Sequence, residues 1–297
     1  MTAIRCEGLS KTYRNVDALT GLNLEIETGS IYALLGPNGA GKSTAIKTMM
    51  NILRPTGGRA EVLGRDSRKL GAKDFERIGY VSENMTMPGW MTVEYFMAYL
   101  KPFYPSWDEA RAVELLKQFD LPRDRKLKQL SRGMCMKASL ASSLAYRPSL
   151  LVMDEPFSGL DPVVRDDLIQ GILESADETT ILVSSHDLAE IETLATHVGY
   201  MESGRLCFSE SMESLAERFR MVDVTLEQPA AIPQDWPAQW LRPEVSPALL
   251  RFVDSSFNAE RTHAELRRMF GGVRDISFTA MPLRTIFLTM ARHGGQR

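Results

Sequence analysis

The sequence predicts an α/β fold: a parallel-sheet core, an antiparallel β layer at its start, a helical stretch in its middle and a small α+β appendage at its end. Three observations carry this. Ile31–Leu35 (IYALL) is a continuous apolar run, suited to a strand buried on both faces, and it leads through a glycine-rich loop into a helix. From Leu150 to Met201 strand-like and helix-like segments alternate, the pattern of a parallel sheet. After about Met221 the composition shifts, with Pro229, Pro233, Pro237, Pro243 and Pro247 crowded around Trp236 and Trp240.

Taken in order, Ile4–Leu9, Leu22–Glu27 and Arg59–Leu63 alternate apolar and polar residues and read as strands of an antiparallel layer. Lys42–Leu53 reads as a helix. The stretch from about 86 to 146 is mostly helical, with apolar faces on Glu94–Tyr99 and Asp108–Phe119. Ser131 stands as an N-cap before a helix over Arg132–Tyr146. Then follow strand Leu150–Met153, helix Val163–Ala176, strand Thr180–Ser184, helix Leu188–Leu194 and strand His197–Met201. In the appendage, short strands (Val222–Leu226, Leu250–Val253, Val273–Phe278) flank a helix over Ala259–Phe270. These assignments divide the chain into residues 1–221 and 222–297.

Composition excludes several classes. The 297 residues include 21 Gly and 15 Pro, ordinary globular values that rule out disorder and low complexity for the chain as a whole. A net charge of −3 supplies no global basic field, so nucleic acid is not an expected partner. Cys6, Cys135 and Cys207 lie far apart with no CxxC, which argues against a disulfide framework or zinc site and suits a reducing cytosol. The first residues carry Arg5 and Glu7 and lack the apolar core of a signal peptide. The longest charge-free stretch, Thr28–Gly41, is broken by Gly29, Gly36 and Pro37, whereas a spanning helix needs about 20 apolar residues.

The chemistry starts at Gly36-Pro37-Asn38-Gly39-Ala40-Gly41-Lys42-Ser43, a G-x-x-x-x-G-K-S loop after a strand and before a helix. Its glycines let consecutive backbone N–H groups turn toward phosphate oxygens, and the helix N-terminus adds its dipole. Lys42 supplies a charge to the β/γ-phosphates, Ser43 a hydroxyl to Mg²⁺, and Thr44 reaches the α-phosphate. Leu150–Met153 runs into Asp154 and Glu155: the first stands near Mg²⁺, the second where a general base would activate water. His186 follows the next apolar strand, at the edge where α/β sheets bind ligands, and can hydrogen-bond the γ-phosphate. Leu130-Ser131-Arg132-Gly133-Met134 opens a helix; by residue type alone it is an N-cap with a free glycine.

The order is phosphate loop at 36–44, LSRGM at 130–134, LLVMDEP at 150–156, SGLD at 158–161 and His186. Over about residues 2–220 it resembles the nucleotide-binding subunit of ATP-binding cassette (ABC) transporters, most of all the ATPase subunits of bacterial ABC-2-type exporters. The resemblance implies a P-loop NTPase cassette that binds ATP and Mg²⁺ and hydrolyses ATP. It implies a head-to-tail homodimer, or a heterodimer with a second ATPase subunit, that drives a separate transmembrane permease. Such a subunit sits in the cytoplasm, peripheral on the inner face of the membrane. Tyr13 matches the aromatic that stacks on adenine, although by residue type it could equally be a core tyrosine. Ser131 and Gly133 match the signature residues that grip the γ-phosphate of ATP held by the opposite subunit, and Asp161 matches the loop that faces that dimer interface. The 86–146 stretch matches the subdomain that receives the permease, and Ile276–Met290 resembles the closing strand and helix of exporter ATPase subunits.

Two departures stand out. The family signature is usually LSGGQ; here Arg132 replaces a glycine and Met134 the glutamine. The strand Ile78–Val81 should run into a Mg²⁺-ligating glutamine, and here it reaches Ser82 and Glu83. Glu83 keeps an oxygen ligand for the metal but adds negative charge near the γ-phosphate. The alternative reading is a soluble or regulatory ABC ATPase, uncoupled from transport or impaired in hydrolysis. A GTPase would need an N-K-x-D guanine reader, which the sequence lacks.

Overall fold

The structure is a computed structural model that describes residues 1–176, 178–228, 233 and 235–294, the last four of these as backbone alone. Pro229 therefore lies outside the described residues. The chain divides into two units, Met1–Ser209 and Glu210–Arg297. The division falls before the composition shift at Met221, because the second unit also contains the helix Met212–Arg218 and the start of the strand Arg220–Leu226.

In the first unit, strands Thr2–Tyr13, Val16–Glu27, Gly57–Val62 and Arg65–Asp66 form an antiparallel sheet. Strict alternation puts Leu22, Leu24 and Ile26 inside and Asn23 and Glu25 in solvent. That inner face packs on the second sheet and the helix Lys42–Met49, in a core that includes Ile4, Leu9, Leu22, Ile26, Leu34, Ile46, Val152 and Leu182. Each such aliphatic side chain contributes about 1.5–3 kcal/mol by leaving water.

The second sheet has six strands, in the order Arg205–Ser211, His197–Glu202, Ile31–Leu35, Thr180–Ser185, Leu150–Asp154, Ile78–Ser82. The pairs from His197–Glu202 to Ile78–Ser82 are all parallel. Their register decides where the chemistry lies. Leu35 pairs with Ser185, Asp154 with Ser184, and Ser82 with Asp154. The residues just beyond these ends are Gly36, Glu155, Glu83 and His186, so one sheet edge collects all four. Strand ends that meet in this way are the usual ligand edge of a parallel sheet.

The middle of the chain holds helices Val93–Leu100, Glu109–Gln118 and Arg132–Leu144. Their N-caps, Thr92, Asp108 and Ser131, accept hydrogen bonds from the backbone N–H groups of Tyr95, Arg111 and Met134. The helix Pro162–Leu173 is capped by Asp161.

Two sequence expectations need correction. The helix expected over Lys42–Leu53 stops at Met49, because Asn51 adopts φ 57° and the amides of Ile52 and Leu53 turn back to the Lys47 carbonyl. The helix expected over Leu188–Leu194 is only a 3₁₀ turn, Leu188–Glu190. There Asp187 accepts from the Ala189 N–H, and the buried Glu190 carboxylate accepts from Ser185 Oγ at 2.5 Å. These side-chain bonds compete with helical ones.

In the second unit, strands Trp240–Ser246, Leu249–Asp254, Arg220–Leu226 and Val273–Ala280 lie in that order in an antiparallel sheet. Helices Ala259–Met269 and Leu283–Gly294 complete the unit. Its core joins Val222, Val224, Trp240, Phe252, Leu266 and Phe270, and the Trp240 ring stacks on Phe252 at 4.1 Å. The sequence reading missed the strand Trp240–Ser246 because Pro243 argues against one. Pro243 is accommodated at a register shift between Leu241 and Glu244, with Arg242 at φ 52°.

Candidate nucleotide site

The loop 36–43 wraps the N-terminus of the helix Lys42–Met49. No side chain caps that helix, and its first turn holds no acidic residue. Its leading N–H groups are therefore available to an anion. Two glycines are obligatory by geometry. A Cβ on Gly36 (φ 156°) would stand 2.2 Å from the Met201 carbonyl oxygen, and one on Gly41 (φ 103°) 2.5 Å from the Ala18 carbonyl oxygen.

Lys42 is 5% exposed and fully engaged. Its ammonium donates to the Gly36 carbonyl at 2.6 Å and the Pro37 carbonyl at 3.3 Å, and pairs with Glu155 Oε1 at 3.0 Å. The other Glu155 oxygen meets His186 Nδ1 at 2.8 Å. This hydrogen bond favours the imidazolium and raises the His186 pKa above its ordinary 6.5, with the Glu155 and Glu190 charges adding to it and burial and Lys42 opposing it. Glu155 itself sits at φ 53°, a strained conformation for a side chain of its size, and its N–H donates to Ser184 Oγ at 3.0 Å.

Asp154 is buried beside them. Its Oδ1 accepts from Ser43 Oγ at 2.8 Å and from Ser184 Oγ at 2.9 Å. A hydroxyl and a carboxylate in contact are hard oxygen donors of the kind Mg²⁺ takes. Among the described residues no group of three or more His, Cys, Asp or Glu could hold a metal alone. The donor set therefore fits a Mg²⁺ that arrives with a nucleotide, whose phosphates and waters fill the remaining positions.

A cavity of about 300 Å³ opens at this edge, lined by Ala18, residues 38–44, Glu83 and Glu155. Glu83 is anchored beside Asp154, since its N–H donates to the Asp154 carbonyl at 3.1 Å. Its side chain forms an ion pair with Arg132.

Ser131, Gly133 and Asp161 are not part of that cavity wall. The Ser131 hydroxyl accepts from the Met134 N–H at 3.2 Å, and Asp161 Oδ1 accepts from the Val164 N–H at 3.1 Å. Gly133 has a packing role as well: a Cβ there would stand 2.8 Å from Val164 Cγ1. Tyr13 is 41% exposed, with Lys11 Nζ 5.0 Å above its ring centroid, so it is not a core tyrosine. It does not line the phosphate cavity either.

Sequence reasoning missed Ser184, Ser185 and Glu190, which position Asp154, Glu155 and the His186 loop. The available signal was a pair of serines ending an apolar strand next to the Asp154 strand.

Known proteins resemble this chain in sequence and in fold. The family described as ABC transporter matches residues 19–158. The daunorubicin/doxorubicin resistance ATP-binding protein DrrA of Streptomyces peucetius is 32% identical, with 98% of this chain and 93% of the relative aligned. The ABC transporter ATP-binding protein YtrB of Bacillus subtilis is 30% identical over 75% of this chain and 77% of its own length. Among solved structures, a dimeric bacterial ABC transporter cassette superposes with a TM-score of 0.63 at 25% identity, covering 70% of this chain and 98% of that one.

Proposed function

The chain belongs to the ATP-binding subunits of ABC transporters, a family of ATPases, and from that premise we propose that it powers export through a separate membrane permease by ATP-driven, head-to-tail dimerisation. The observation that carries the reading is the chain of contacts from Lys42 through Glu155 to His186, set against an uncapped helix N-terminus. Every donor of Lys42 is taken by the Gly36 and Pro37 carbonyls and by Glu155. Bound β/γ-phosphates replace Glu155 as its partner. That releases the Glu155 carboxylate to accept a proton from the attacking water, while His186 steadies its second oxygen. Mg²⁺, held by Ser43 and Asp154 and also by Glu83, would neutralise phosphate charge.

Tyr13 stacks on adenine, as its exposed ring allows. Ser131, Gly133 and Asp161 lie outside the chain's own phosphate cavity, which suits residues that complete the site of a second subunit. The dimeric cassette that this chain resembles supports that arrangement. The direction of transport rests on DrrA: an ATP-binding protein named for drug resistance, aligned through both units of this chain, fits expulsion of a compound.

On this reading the permease docks against the helical stretch 86–146, where a groove of about 380 Å³ is lined by Ile52, Met85, Met87, Phe96, Leu100 and Tyr104. Only Asn84 separates Glu83 at the nucleotide cavity from Met85 in this groove, so docking and nucleotide state share one segment. No described helix is long and apolar enough to cross a membrane, so the spanning path belongs to the partner. On this reading the subunit works at the cytoplasmic face of the membrane.

Equilibrium binding of a fluorescent ATP analogue to wild type and Lys42→Ala tests the reading. The variant is expected to lose most of its affinity while remaining folded. Unchanged affinity overturns the assignment.

A further inference from the structure

The two departures from the family pattern touch each other. Glu83 stands where the pattern has a glutamine and Arg132 where it has a glycine, and the two side chains form an ion pair across 49 residues of sequence. We propose that Arg132 is a positioning residue for Glu83: it serves as counter-ion to the carboxylate in the nucleotide-free protein, and Mg²⁺ arriving with nucleotide competes with it for that carboxylate. The inference rests on the nucleotide reading above and adds a residue to the metal step.

Four observations support it. First, the Glu83 backbone is fixed next to Asp154, whose side chain holds Ser43, so the Glu83 side chain starts from the wall of the phosphate cavity. Second, Glu83 shares that wall with Glu155, and Asp154 lies behind it. Lys42 is committed to Glu155, so Glu83 without Arg132 would be an uncompensated third carboxylate. Third, Arg132 occupies the first turn of its helix, where the dipole disfavours a cation, and Glu83 offsets that cost. Fourth, the guanidinium also lies against the SGLD turn: a Cβ on Gly159 would stand 2.9 Å from Arg132 Nη1. Arg132 thus joins the strand end that carries Glu83, the signature helix and the turn before Asp161.

The pair is weak enough to exchange. Arg132 is 50% exposed and Glu83 29%, and water screens an ion pair of this kind. A divalent cation with two hard oxygen donors already beside it is the stronger partner for a carboxylate. When the exchange occurs, the signature helix loses its tie to Glu83, so metal loading frees the segment that must meet the opposite subunit.

The test is ATP-analogue affinity with and without Mg²⁺, read at equilibrium, for wild type, Arg132→Ala, Arg132→Lys, Glu83→Gln and the Arg132→Ala/Glu83→Gln double variant. Arg132→Ala frees the carboxylate and is expected to increase the gain from Mg²⁺ by about two- to fivefold. Arg132→Lys keeps the charge and should stay near wild type. In the Glu83→Gln background Arg132→Ala should change nothing further. An equal effect of Arg132→Ala in both backgrounds, or none in either, overturns the proposal. Wild-type protein that binds no ATP at all would instead overturn the nucleotide reading.

Discussion

Buried polar groups are arranged differently in the two units. In Met1–Ser209 one set of them gathers at a sheet edge: Lys42, Asp154, Ser184, Ser185 and Glu190 are all buried there and bind one another or their immediate neighbours. In Glu210–Arg297 the fully buried Asp254 accepts from the Ser256 N–H at 3.0 Å and from Thr262 Oγ1 at 2.6 Å. Those partners come from the turn and helix that directly follow it. The first arrangement brings together residues that end or follow three strands, Ile31–Leu35, Leu150–Asp154 and Thr180–Ser185, and faces a cavity. The second closes on itself within a few residues. Burial of polar groups thus marks a site only where their partners converge from distant segments and a ligand could replace one of them.

The largest expected effect sharpens the first half of that contrast. Glu155→Gln removes the proton acceptor but keeps the side-chain shape. Steady-state ATP turnover should fall by about 10²–10⁴-fold, the usual worth of a general base. ATP affinity should hold or rise, because Lys42 no longer forms its 3.0 Å ion pair with a carboxylate. An ATP-dependent dimer should then persist in size-exclusion chromatography, since only hydrolysis reopens it. Turnover at the wild-type rate would move the base elsewhere, with Glu83 the nearest other carboxylate on the cavity wall.

The next effect concerns the second unit. Trp240 is 3% exposed and stacked on Phe252, so Trp240→Ala should cost about 3–5 kcal/mol of that unit's stability. ATP-analogue affinity should remain at the wild-type value, measured below the unfolding transition. A loss of affinity in a folded variant would break the contrast, because it would give the second unit a share in the nucleotide site.

The same contrast explains what the sequence could show. The phosphate loop, the Asp154-Glu155 pair and His186 were legible because each is a local pattern: an apolar strand followed within a few residues by a polar group. Ser184 bonded to Asp154, and Arg132 paired with Glu83, were not legible. These contacts depend on strand register and on the docking of a helix, and neither is encoded near the residues themselves. In the second unit the strand Trp240–Ser246 was hidden by Pro243, whose missing N–H is tolerated at a register shift. The 3₁₀ turn at Leu188–Glu190 read as a helix because its apolar spacing is helical, while its side-chain bonds to the backbone and to Ser185 hold it otherwise.

The smallest effect is a pH dependence, and it isolates one contact of the converging network. His186 has a pKa raised above its ordinary 6.5, chiefly by the hydrogen bond to Glu155. A group whose folded pKa exceeds its unfolded value binds protons more tightly in the native state. Its contribution to stability is therefore complete below pH 6.5 and is lost as the pH rises through the folded value. The His186 side chain is 41% exposed, so screening keeps the contribution small. The difference in Tm between wild type and His186→Ala should accordingly be greatest in the mildly acidic range and shrink toward alkaline pH. Glu155→Gln should abolish that pH dependence, because the uncharged amide no longer favours the imidazolium. A Tm difference that grows with pH would reverse the sign of the shift. It would mean that His186 is held neutral at this sheet edge, as a hydrogen-bond acceptor rather than a cation.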